Sequence, residues 1–255
     1  MKIIDSHIHF DAYSEEKRQS ILSDLQKDGI EALISVSMNM ESCKKNLALS
    51  TRDQRIKPAF GFHPEQPLPS PQDLEELLLW IQEHVNEMVA VGEVGLPYYT
   101  RQEQAVDLEK YIEVLERFLI LAKKKDKPVI LHAVYDDAPI VCDLLEKYRI
   151  KKAHFHWFKG DKETITRMIQ NRFYVSVTPD VCYEREIQEL VLYYPLELLM
   201  IETDGPWPFE GPFSGKMTHP AMMHYSVIEI ARIKKLPVHV VYEKLRNNTK
   251  RFYMI

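Results

Sequence analysis

In this 255-residue sequence, residue types suited to metal binding recur where short β-branched runs end. The first case is DSHIHF at 5–10, where His7 and His9 stand two residues apart. Side chains alternate faces along a strand, so Ile3, Asp5, His7 and His9 share one face and Ile4, Ser6 and Ile8 the other. Two imidazoles on one face can chelate one ion, although a lone HxH can equally be a hydrogen-bonded core pair. Repetition favours the ion. His63 ends a third run, Glu93 lies in a fourth, His132 ends a fifth, His154 and His156 end a sixth, and Asp204 ends an eighth. Carboxylates and imidazoles buried together without a cation carry a severe desolvation cost, whereas a divalent metal neutralises the carboxylates and accepts neutral imidazole nitrogen. His84, His224 and His239 fall in helix-like stretches and read as surface or packing residues, while His219 lies in a loop and keeps both roles open.

The elements that must position these groups follow from hydrophobic period. Strand-like runs occupy 2–10, 31–38, 56–63, 89–96, 129–134, 152–158, 173–178 and 198–204. Amphipathic stretches separate them, such as 71–88 with Leu74, Leu77, Leu78 and Ile81, and 103–124 with Leu108, Ile112, Leu115 and Leu119. Eight such alternations predict a parallel sheet closed as a TIM-type (β/α)8 barrel, an α/β fold spanning 1–255 as a single domain. A doubly wound open sheet is the alternative. Closure would carry all eight strand C-termini, and hence the polar set, to one mouth. A Gly- and Pro-rich flap at about 205–220 follows the last strand, and helices at 219–235 and 238–253 end the chain.

Composition removes several function classes. The net charge is −5, which argues against a broad electrostatic track for nucleic acid. Apolar runs such as LLLWI at 77–81 are far shorter than the roughly 18 residues of a membrane span, and MKIIDSHIHF is too polar for a secretory leader. Three scattered cysteines give no disulfide framework, so a cytoplasmic protein is expected, with no membrane association and no obligate protein partner. GPFSGK at 211–216 has one residue too few for a phosphate loop and Met217 where Ser or Thr should follow.

Six blocks in order, DSHIHF at 5–10, GFHPE at 61–65, GEVGL at 92–96, PVILHA at 128–133, HWFKG at 156–160 and ETDGP at 202–206, resemble the TatD family of metal-dependent hydrolases. This family, commonly described as deoxyribonucleases, belongs to the amidohydrolase-like barrels. Asn247 and Phe252 also resemble its N-x-x-x-x-F tail. The resemblance implies two divalent metal ions: His7, His9 and Asp204 on one, His132 and His156 on the other, and Glu93 bridging. Zinc suits the histidines best, with magnesium or manganese compatible with the carboxylates. The resemblance further implies that His63 touches the substrate phosphate and that Asp204 and Glu93 are the catalytic carboxylates. Glu202, on the Asp204 strand face, is placed to orient a ligand histidine; His154 has no family role assigned.

Two departures bear on substrate. Pro97 and Val134 stand where many members carry an acid and an arginine, and losing that arginine removes a bidentate phosphate donor. Lys159, Arg101 and Lys216 are the candidates to replace it. The expected reaction is phosphodiester hydrolysis on DNA ends or short single strands, exonuclease-like, by a metal-activated water. The alternative is cleavage of an amide, ester or lactone in a small-molecule substrate; a metal-stabilised scaffold without activity is a third reading.

Overall fold

Eight short parallel strands form the centre of the computed structural model, which describes residues 1–255. They are β1 (Ile3–Ile8), β2 (Ile30–Ser35), β3 (Ile56–Phe60), β4 (Ala90–Gly95), β5 (Val129–His132), β6 (Ala153–Phe155), β7 (Tyr174–Val177) and β8 (Leu199–Ile201). Each pairs with the next in chain order. The ring closes because the Asp204 amide donates to the His7 carbonyl (3.0 Å) and the His9 amide to the Gly205 carbonyl (2.7 Å). The barrel, rather than the open sheet, is therefore the fold.

Ten helices surround it: α1 (Glu15–Asp24), α2 (Met40–Arg52), α3 (Pro71–Glu83), α4 (Tyr98–Glu103), α5 (Leu108–Lys125), α6 (Asp137–Lys147), α7 (Lys162–Gln170), α8 (Arg185–Tyr193), α9 (Met223–Lys234) and α10 (Val238–Tyr253). Side-chain caps start several of them. Ser14, Asn39, Ser70 and Asp161 each accept a backbone N–H from the first turn, and Pro71 follows Ser70 where its missing donor costs nothing. No helix is long and apolar enough to cross a membrane.

Two expected helices differ from the sequence pattern. The 71–88 stretch stops at Glu83, because His84 leaves helical geometry (φ −102°, ψ 24°) and stacks its ring on Trp80 at 4.1 Å. The 103–124 stretch begins only at Leu108, after extended Gln104 and Asp107, while Tyr98–Glu103 forms a separate helix over the mouth.

The apolar helix faces and outer strand faces bury one large core. A second cluster, including Ile34, Ala59, Ala90, Ile130 and Met200, packs against Phe252 and Tyr253 at the end of α10. In this tail Asn248, not Asn247, is the buried anchor: its amide donates to the carbonyls of Leu196 and Leu199, both at 2.7 Å.

Register shifts interrupt β1 between Asp5 and Ile8 and β4 between Val91 and Val94. These intervals contain His7 and Glu93, and such irregularities re-aim side chains beside functional sites. Gly95 pairs with His132, and a Cβ there would overlap the His132 carbonyl, so glycine is the residue that lets β4 and β5 approach.

Candidate metal centre

The strand C-termini bring His7, His9, His63, Glu93, His132, His156 and Asp204 to one mouth. Glu93 is fully buried at its centre and turns its two oxygens to different neighbours. Oε2 lies 3.2 Å from Nε2 of both His7 and His9, which are in turn 3.4 and 3.6 Å from Asp204 Oδ1. Oε1 lies 2.6 Å from His156 Nε2 and 3.0 Å from His132 Nδ1. His7 with His9 and Asp204, and Glu93 with His132 and His156, each offer three ligand atoms close enough together to hold a metal ion.

The polar atoms in the first group lack the partners that burial demands. His7 Nε2, Glu93 Oε2 and Asp204 Oδ1 are buried and accept or donate no hydrogen bond. Interiors rarely leave such atoms unpaired, so the donor set fits a cation. Charge agrees. Burial alone would push the Glu93 carboxyl up, yet the imidazoles of His156 and His7 prevail and hold it well below the usual carboxylate range. Burial and His156 oppose a proton on His7, but Glu93 and Asp204 prevail and raise it to about 9. A cation in this position would displace that proton, because ligating imidazole must be neutral.

One ring nitrogen turned away from Glu93, that of His132, is held from behind by a carboxylate. His132 Nε2 lies 3.1 Å from Glu65 Oε1, and Glu65 also accepts the backbone N–H groups of Tyr99 (2.9 Å) and Thr100 (2.7 Å). Burial would raise the Glu65 pKa; the contacts with His132 and Thr100 outweigh it and lower it to about 2. His132 thus presents Nδ1 to the centre with its other nitrogen on a carboxylate, the usual support of a metal-bound histidine. On the far side His156 Nδ1 faces Glu202 Oε1 at 3.7 Å, too long for a hydrogen bond, so Glu202 stands behind His156 without making the orienting bond expected of it.

His154 is not part of the cluster. Burial pushes its imidazole well below its ordinary value, so it is neutral. Its Nδ1 lies 2.7 Å from the Tyr253 hydroxyl and its Nε2 2.5 Å from Ser176 Oγ, and Ser176 donates to Glu202. One proton assignment satisfies the chain: Tyr253 O–H to Nδ1, Nε2–H to Ser176, Ser176 O–H to Glu202. His154 is therefore a strut from α10 to the carboxylate behind His156.

His63 also stands beside Glu93, but its Nε2 lies 3.5 Å from Oε1, farther than the nearest nitrogen of each of the other four. Its Nδ1 accepts the Glu65 amide (3.1 Å), which leaves the hydrogen on Nε2, and burial holds the ring neutral with its pKa near 3. A neutral Nε2–H donates to an anionic oxygen and offers no lone pair to a metal. In this tautomer His63 differs from the other four histidines, although its position beside His9 and Glu93 would also bring it within reach of an ion.

Of the replacement cations only Lys159 lines the mouth, its ammonium 4.7 Å from the Trp157 ring centre. Arg101 is committed to fully buried Asp137, and Lys216 is tied to the Pro212 carbonyl within the flap at 2.9 Å. His219 is also structural: it accepts the Ala221 amide at 3.1 Å.

Glu65 is the residue that strand-end logic missed, because it lies in a loop; the GFHPE block was its only signal. Glu65→Gln is expected to lower affinity for the ion at His132 by about 10- to 100-fold, the usual effect of losing such a support. Competition with a chelating dye would measure it, and unchanged affinity at both sites would remove Glu65 from this role.

Comparison with known proteins agrees with the geometry. A Haemophilus influenzae protein named as an uncharacterized metal-dependent hydrolase is 39% identical, covering 99% of this chain and all of its own. The human protein named Deoxyribonuclease TATDN3 is 27% identical over 98% of this chain and 94% of its own. The crystal structure of YjjV, a TatD homologue from Escherichia coli, superposes with a TM-score of 0.89 at 26% identity, over 99% of this chain and 98% of that one. The family described as TatD related DNase matches residues 4–254, and the chain therefore belongs to the TatD family of metal-dependent hydrolases.

Proposed function

We propose that this hydrolase cleaves phosphodiester bonds in DNA, acting at ends or on short single strands, with two divalent ions at the mouth. The observation that carries the reading is the division of Glu93: one carboxylate gives one oxygen to each of two histidine sets, as paired-metal sites about 4 Å apart require. In this reading His7, His9 and Asp204 hold one ion, His132 and His156 the other, and Glu93 bridges them. Zinc is the first choice for so many imidazoles, with magnesium or manganese the alternatives. When bound, the pair would acidify water towards a pKa of about 7 and neutralise charge on the scissile group.

The chain's own residues do the rest. Asp204 Oδ1 is buried, makes no hydrogen bond and lies 3.4 Å from His7 Nε2, and its carboxyl is held below the usual range because the imidazoles, His7 first, outweigh burial. It accepts the proton of the attacking water and returns it to the leaving oxygen. His63 donates its Nε2–H to a phosphoryl oxygen, and Lys159 adds a mobile positive charge. Relatives named as deoxyribonucleases support the choice of bond.

A second reading, hydrolysis of an amide, ester or lactone in a small molecule, is favoured by the charge of the mouth, where Asp180 and Glu184 stand beside the single Lys159. The deciding experiment offers the metal-loaded protein end-labelled single strands, duplex DNA, lactones and amides. Phosphodiester hydrolysis should release mononucleotides from single-strand ends and weaken only modestly with salt, because few phosphates are contacted. Turnover of a lactone or amide alone, with the same dependence on His7, Glu93 and Asp204, would establish the second reading.

A further inference from the structure

The cavity above Glu93 measures about 340 Å³ and five aromatic residues line it: Tyr99, Trp157, Tyr183, Trp207 and Phe209. That volume is at the small end of ligand pockets and admits one nucleotide-sized unit at a time. Its charged lining is mostly acidic, with Asp180, Glu184 and Asp204 against Lys159, so it does not track a polyanion.

Trp157 is fixed with unusual thoroughness. Its backbone sits at φ 39°, a region bulky residues rarely adopt, and such outliers cluster at functional sites. Its amide donates to Glu202 (2.9 Å) and its indole N–H to Asp180 (2.7 Å). Tyr99 stacks alongside at 5.8 Å and 28°, widening the aromatic wall. Trp207, three residues beyond Asp204 on the flap, is 47% exposed, and its aromatic neighbour is His9, at 6.0 Å between ring centres. The Thr218 hydroxyl donates to the Trp207 carbonyl at 2.5 Å, which holds the flap backbone at this point. A fixed indole in the wall and an exposed one on the flap therefore share the cavity that contains His9, His63 and Asp204.

We propose that Trp157 and Trp207 clamp one flat aromatic ring of the substrate, a nucleobase joined to the scissile phosphate. Stacking is tolerant of base identity, since every base presents a π-face. A ring entering against Trp157 displaces the Lys159 ammonium from that indole, and the freed charge meets the phosphate of the same nucleotide. The identity of the ring rests on the phosphodiester reading; the clamp itself does not.

The sequence has three tryptophans, and Trp80 packs on Phe60 and His84 away from the cavity, so a Trp80→Phe chain reports on the two clamp indoles alone. Its fluorescence is titrated with deoxyadenosine 5′-monophosphate, deoxyribose 5-phosphate and inorganic phosphate. The nucleotide is expected to quench and to bind about 5- to 150-fold more tightly than the sugar phosphate, the effect of one stacked base. Trp207→Ala and Trp157→Leu should each erase most of that advantage; exposed Trp207 can be lost without harming the core if the Trp157 variant does not fold. Equal affinity for nucleotide and sugar phosphate, or an advantage unchanged in Trp207→Ala, overturns the clamp even if DNA is cleaved. Tryptophan-dependent preference for the nucleotide, in a protein that cleaves no phosphodiester, keeps the clamp and rejects the DNA reading.

Discussion

Glu93→Gln is expected to empty both metal positions at once and to cut turnover by at least about 10³-fold, since paired ions supply several kcal/mol of charge stabilisation to the transition state. Glutamine has nearly the same shape, so the barrel should survive. What changes is the charge: the imidazoles of His7, His9, His132 and His156 would face a neutral amide, half of which repels a cation. Elemental analysis should show the ions leaving together, because each oxygen of Glu93 serves a different histidine set. Thermal unfolding gives a second measure. Metal at 100 times its Kd stabilises by about 2.7 kcal/mol per site, roughly 5–11 °C for a domain of this size, and the variant should lose that shift. Retention of two tightly held ions would refute the bridging role.

Asp204→Asn should lower the rate by about 10²- to 10⁴-fold, the usual contribution of a positioned acid or base, while substrate binding persists. The substitution suits the backbone. Asp204 sits at φ 50°, and asparagine tolerates the left-handed region better than other non-glycine residues, so a folded protein is expected. The neutral amide can neither accept the proton nor balance the charge near His7 and His9. Measured kcat should fall with little change in KM, and the pH profile should lose its acidic limb, which reports the carboxylate that must be ionised. Full activity in this variant would leave proton transfer to another group.

Local period made much of this protein legible in its sequence. Alternation put His7 and His9 on one strand face, eight repeats of strand and helix required a parallel sheet, and polar residues at strand ends named eight groups, of which seven meet at the mouth and His154 does not. These inferences held because side-chain facing within a strand and the direction of parallel strands are set by nearest neighbours. The outer helices were less legible, since α3 ends where His84 turns back onto Trp80 and α5 starts only after extended Gln104 and Asp107, features that apolar period does not register.

Tertiary structure alone decided how the site is held. The register shifts that flank His7 and Glu93 exist only where β1 and β4 pair with their neighbours. Glu65 reaches His132 across 67 positions, His154 reaches Tyr253 across 99, and Arg101 is taken from the mouth by Asp137, 36 residues on. No period connects such pairs. Barrel closure and the docking of α10 against its interior bring them together, so the sequence named the groups at the mouth while three-dimensional packing chose which nitrogen, which oxygen and which cation each one presents there.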